Sequence, residues 1–183
     1  MDWYSLVKFL HVAAAVLWVG GGFALMLLAV RADMAGDVER TLSAMGAVGE
    51  LGNRLFMPSS VLTLLFGLIM CWFWVGFTQL WVVIGLAGYA TTFLVGTLIF
   101  KPTADRMGEI IAREGMTPAV LTEGRRILRV ARFDYAVMLI IVADMVLKPT
   151  SGDTAILAAM LLVLVLGTVT AFAPQRQASP VGA

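Results

Sequence analysis

Apolar runs separated by polar intervals set the pattern of this chain. Five of them, at about 4–30, 55–77, 80–100, 133–149 and 154–173, come near the ~20 residues a helix needs to cross an ~30 Å hydrocarbon core. The fourth is the shortest and carries Asp134 and Asp144. None shows the β-branched alternation of barrel strands and all are too long for them, so the pattern predicts helices. The third run closes at Lys101-Pro102, where the proline reads as a stop. Thr117 then offers an N-cap with Pro118 at the first helical position, and a helix begun there runs through Arg132 into the fourth run. The first run has no basic segment before it and ends at Arg31 without a cleavage site, so it reads as a retained span. No internal repeat stands out, and an odd number of spans does not suit a simple inverted repeat. Residues 174–183 are polar and rich in Pro and Gly, and read as a disordered tail.

Composition turns this pattern into a fold class. The chain is 60% hydrophobic and 14% charged, against about half and a quarter for a soluble domain. A single unit of 183 residues cannot hide that excess in its core, so the excess faces lipid. The expected architecture is an all-α integral membrane protein, a bundle of five transmembrane helices forming one domain over residues 1–173. A net charge of +1 gives no argument for nucleic acid as a partner. The single Cys71 excludes an internal disulfide and any CxxC motif. No P-loop, GxSxG or HExxH pattern occurs.

Charge in the intervals gives an orientation. Arg31, Arg40 and Arg54 follow the first run, and Lys101, Arg106, Arg113, Arg125, Arg126, Arg129 and Arg132 follow the third. The interval after the second has no charge, and that after the fourth has only Lys148 as a cation. The excess of Lys and Arg places the odd intervals in the cytoplasm, the N-terminus outside and the C-terminal tail inside. Trp3, Tyr4, Trp72, Trp74 and Trp81 then all fall at the outer interface, where amphipathic rings gather.

The small and polar residues define the candidate sites. Gly85, Gly88, Thr92 and Gly96 form a stripe on the third span, and Gly20, Gly21 and Gly22 a patch on the first. Both suit close helix packing, with a backbone opened for a ligand as the alternative reading of the triple glycine. Pro58-Ser59-Ser60 reads as a kink whose freed carbonyl a hydroxyl satisfies. Lys8 and His11 lie one to two turns into the first span, and Asp144 one turn below the outer end of the fourth. They share a membrane level, so a Lys8–Asp144 ion pair is expected, with His11 able to join it. Met70, Cys71, Met145 and Met160 fall near that level. With His11 they form a possible soft set for copper(I), or for haem with His and Met axial ligands; gap filling by the methionines is the plainer reading. Trp18 lies two turns from His11 on the same stripe. A histidine bonded to Asp144 or to a carbonyl, a cofactor ligand and a proton relay remain open for His11. Arg125, Arg126, Arg129 and Arg132, with Asp134, form a basic collar suited to anionic headgroups or to an anionic partner.

The stretch KFLHVAAAVLWVGGG resembles the first helix of small bacterial membrane proteins related to the copper-resistance CopD domain and to HemJ-type membrane protoporphyrinogen oxidases. The shared positions are Lys8, His11, Trp18 and Gly21. Across the whole chain the likeness is to DUF2269-type integral membrane proteins of that broad group, with a Pro58, Gly67, Trp81 pattern through the second and third spans. The resemblance implies a bacterial inner-membrane location and His11 as a haem ligand. HemJ-type proteins also carry a lysine in the third span, whereas residues 81–100 here are uncharged, which counts against protoporphyrinogen oxidation.

Three functions emerge as expectations. The first is haem- or copper-associated redox or metal handling, with His11, Met145 and Trp18 at a cofactor and His11, Met70, Cys71 and Met160 at a metal. The second is a non-catalytic subunit or assembly factor whose small-residue faces dock other helices, or a homo-oligomer. The third is a small-solute or proton transporter built on Lys8, His11 and Asp144.

Overall fold

The computed structural model describes residues 2–115 and 117–172; the expected disordered tail at 174–183 lies outside them. The described residues form helices only, in five continuous runs: α1 (Trp3–Met34), α2 (38–75), α3 (Leu80–Glu114), α4 (Pro118–Leu147) and α5 (Thr154–Phe172). Trp3–Met34, Arg54–Val75, Leu80–Glu114 and Thr154–Phe172 are long and apolar enough to cross a membrane. Helix α4 falls outside that set. Arg132 and Lys148 bracket a short apolar stretch that Asp134 and Asp144 interrupt.

Local chemistry fixes the ends. Asp2 caps α1, accepting from the Tyr4 amide at 3.1 Å and the Ser5 hydroxyl at 2.7 Å, and the Ser5 bond holds its carboxyl below the usual range. Asp37 accepts from the Arg40 amide at 3.0 Å as α2 begins. Helix α2 ends at Gly76, whose φ of 83° suits glycine and whose amide reaches back to the Cys71 carbonyl. Thr117 stands at the cap position of α4, although its side chain makes no capping bond. Lys148 closes α4 in the left-handed region and sets its ammonium 5.0 Å from the Trp81 ring centre. Asp153 receives both the amide and the hydroxyl of Thr150 ahead of α5, which lowers its carboxyl pKa.

Two intervals that read as loops are helical. At 1.5 Å per residue α2 is about 57 Å long and α3 about 52 Å, well beyond an ~30 Å core. The end of α1, the start of α2, the end of α3 and the start of α4 therefore continue past the apolar zone as an amphipathic extension. It has its own core of Leu42, Met107 and Val120, with Met45, Ile110 and Ile127 against it. Arg125 of α4 meets Asp33 of α1 at 2.9 Å across it.

Pro102 does not stop α3. The turn Gly96–Phe100 before it is widened to i→i+5 bonding, which moves the carbonyl that a proline ring strikes and removes the need for its N–H. The same device stands before Pro58, at Gly52–Phe56. The segments GNRLFMP (52–58) and GTLIFKP (96–102) share glycine, a Leu or Ile, phenylalanine and proline at matching places, a short recurrence that single-residue patterning hides.

Helix α4 is the axis of the bundle. It supplies Val120, Leu128, Val130, Ala131, Ala136, Val137 and Met138 to the buried apolar set. Helix α3 approaches it where Gly85 faces Asp144 and Met145 and Gly88 faces Val137 and Ile141. Helix α5 approaches where Gly167 meets Ala136, and α1 where Gly22 meets the Tyr135 hydroxyl. Helices α1 and α2 form a hairpin through Gly21 on Phe56 and Tyr4 on Trp74. Gly96 differs from its stripe: it begins the widened turn, and nothing lies within 4 Å of where its Cβ would be.

Two substitutions separate these roles. Gly167→Val drives a branched side chain into Ala136 and is expected to lower stability by about 1–3 kcal/mol. Gly96→Ala, in open space at helical angles, leaves stability unchanged or raises it by up to about 1 kcal/mol. Unfolding of the two variants in detergent measures both.

Candidate functional site

The first spans carry a small set of polar groups in an apolar surround. His11 of α1 stands half-buried against α2, its Nδ1 2.7 Å from the carbonyl oxygen of Thr63. A carbonyl only accepts, so this nitrogen carries the proton and donates; in the neutral ring Nε2 is then an unprotonated acceptor. Gly67, one turn along α2 from Thr63, leaves the room: a Cβ there would stand 3.2 Å from His11 Cε1. The Thr63 hydroxyl turns inward to the Ser59 carbonyl at 2.8 Å, and Ser60 donates to the Met57 carbonyl at 2.9 Å. Both hydroxyls donate within their own helix and not to the imidazole.

Asp144 lies on the opposite pair of helices. It is 0% exposed, packs beside Gly85 of α3, and neither carboxylate oxygen has a hydrogen-bond partner among the described residues. Asp134, 3% exposed, likewise leaves Oδ1 without one. With Val137 and Ile141 between them, the two acids occupy one stripe of α4. Buried and unpartnered carboxyls are costly in an apolar medium, and such positions are functional candidates.

The expected Lys8–Asp144 pair is not formed. Lys8 turns back along its own helix and sets Nζ 5.5 Å from the Tyr4 ring centre, while Asp144 faces α3. The two side chains turn to different neighbours, Tyr4 on α1 and Gly85 on α3.

The soft donors are also dispersed. Cys71 is a buried free thiol at the start of the widened turn Cys71–Val75, next to Met70 on α2. Met145 lays its methyl against Gly85 in the α3–α4 seam, and Met160 lines the α4–α5 seam with Leu139 and Ala143. Among the described residues no three His, Cys, Asp or Glu side chains converge on a point. Trp18 meets Tyr89 of α3 edge-on at 5.5 Å rather than the His11 ring. The sequence reading missed Tyr89, Tyr135 and the Thr63 carbonyl. The first two carry no ionisable signal in a greasy run, and a backbone acceptor has no residue-type signature at all.

Residues 5–149 match the family described as "Predicted integral membrane protein (DUF2269)". The chain belongs to that family. The match takes in α1, α2, α3 and α4, and with them every residue of the His11 and Asp144 sites. No curated protein and no solved structure matches the chain. This DUF2269 protein is thus a multi-pass helical membrane protein, and the burial of its acids is read against lipid rather than water.

Without a counter-charge to orphan, Asp144→Asn and Lys8→Gln are each expected to change stability by no more than about 1 kcal/mol. Breaking a buried ion pair costs about 3–5 kcal/mol. Denaturant unfolding in detergent distinguishes the two cases.

Proposed function

We propose that this DUF2269 protein crosses the cytoplasmic membrane five times, N-terminus outside, and holds a haem near the outer face through Nε2 of His11. Counting α4 as a span rests on its place between α3 and α5, each of which is long enough to cross. Helix α3 packs over Asp144 at Gly85, and α5 packs on Ala136 at Gly167. The orientation rests on the Lys and Arg bias of the extension.

One observation carries the cofactor reading: the 2.7 Å bond from His11 Nδ1 to the Thr63 carbonyl. It fixes the tautomer and the ring plane and leaves Nε2 as the donor, the arrangement by which proteins present an imidazole to iron or another metal. A haem there would be held through His11 alone among these residues, because Met145, packed on Gly85, belongs to another seam. Copper(I) is less well supported, because Met70, Cys71, Met145 and Met160 sit on three different seams. A haem so held supplies one-electron chemistry, and the task of the chain is to orient the imidazole and keep water from it.

A second reading rests on the α4 stripe. Two buried acids on one helix suit a path for protons or a small cationic solute.

Protein purified from haem- and copper-replete cells is expected to show a Soret band that His11→Ala removes. Absence of both the band and copper in the wild type sinks the proposal. For the second reading, proton flux into proteoliposomes is expected to fall at least tenfold in Asp144→Asn, and unchanged flux refutes it.

A further inference from the structure

The face of α4 turned to α5 carries a groove that neither reading uses. Near the charged extension Phe23 of α1, Arg132, Tyr135 and Leu139 of α4, and Leu166 and Thr170 of α5 border a cavity of about 350 Å³. A second cavity of about 440 Å³ continues along the same two helices towards Leu147 and shares Leu139 and Val163 with the first. Apart from Arg132 and a few hydroxyls the walls are apolar.

Depth and charge say what fits there. Helix α5 has 19 residues, about 28 Å, one hydrocarbon thickness. Phe133 meets Phe172 with ring centres 6.3 Å apart, so Arg132 stands level with the last described turn of α5, at the edge of the apolar zone. From Arg132 to Leu147 the groove runs about 22 Å along α4, longer than the ~15 Å that one leaflet's acyl chains reach, so a single acyl chain entering at Arg132 fits within it. Arg125 and Arg126 of the same helix have carboxylate partners in Asp33 and Glu123. Arg132 is half-buried and has no ion pair among the described residues.

We infer that the α1–α4–α5 groove binds one anionic glycerophospholipid of the leaflet at the charged end. Its phosphate meets the Arg132 guanidinium and one acyl chain lies along the α4–α5 seam. A guanidinium presents paired donors to phosphate oxygens, and a headgroup without a choline or ethanolamine cation leaves that charge uncompensated. The inference is independent of any cofactor at His11.

The test is thermal unfolding of the full chain in a neutral detergent, titrated with palmitoyl-oleoyl phosphatidylglycerol, with the matching phosphatidylcholine, or with glycerol 3-phosphate. Phosphatidylglycerol is expected to stabilise with an apparent affinity about fivefold above phosphatidylcholine, and glycerol 3-phosphate to have no effect. Arg132→Gln brings the two lipids to one level. Leu139→Trp, which fills the groove where its two parts meet, weakens both. Arg129→Gln, an exposed neighbour on the same helix, keeps the preference. Equal stabilisation of the wild type by the two lipids overturns the proposal, as does a preference that survives Arg132→Gln. A loss as large in Arg129→Gln assigns the effect to the collar as a whole, and full stabilisation by glycerol 3-phosphate assigns it to a free phosphate site; either outcome also overturns it.

Discussion

Gly85, Gly88 and Gly167 let two helices come so close to α4 that one added carbon at any of them would strike it. In lipid this closeness replaces the hydrophobic drive, because a tail is as apolar as a leucine and gains nothing by release. The consequences spread from these contacts. Helix α4 becomes the axis although it is the least apolar of the long helices. The seam with α3 is shut over Asp144, and the seam with α5 leaves grooves only where side chains fail to meet. A bundle held by large residues would stand wider, and neither acid would be hidden from a passing headgroup or ion.

A second constraint acts along the helices. A backbone group in hydrocarbon must be satisfied within its own segment, which makes a proline in a span costly. This chain answers twice in the same way, with a widened turn before Pro58 and another before Pro102. Each widened turn shifts the register of the helix beyond it. On α3 the part beyond it, from Lys101 onward, turns Met107 towards Gly124, which Met45 also meets. The prolines thus mark where the packing of the apolar zone ends and that of the extension begins.

How much of this was legible depends on which coordinate a residue pattern encodes. Position along a helix is read directly from hydropathy and turn residues, so the apolar runs and the start of α4 at Thr117-Pro118 could be placed from sequence. Direction around the bundle depends on partners that are distant in sequence. Asp144 faces α3 and Lys8 folds back on Tyr4, so the expected pair did not become contact. Residues 31–54 and 101–117 read as loops because their polar surface dilutes a small core. Leu42, Met107 and Val120 lie far apart in the chain and gain meaning only once α2, α3 and α4 stand side by side. The resemblance singled out His11, but not the Thr63 carbonyl that orients it.

The two polar features of the apolar zone differ in what holds them, and the difference bears on function. The His11 ring is pinned by one hydrogen bond to a helix backbone, a partner that no side-chain substitution removes and that consumes only one of its two nitrogens. Asp144 is pinned by shape alone, against a glycine and a methionine methyl, and both its oxygens remain unspent. A group kept only to order helices has every reason to use its polar atoms on a neighbour, since an unsatisfied acceptor in hydrocarbon costs stability. Both residues instead retain bonding capacity, on opposite helix pairs. That shared reserve, more than the presence of either residue, sets these two positions apart from hydroxyls such as those of Ser60 and Thr63, which bond within their own helix.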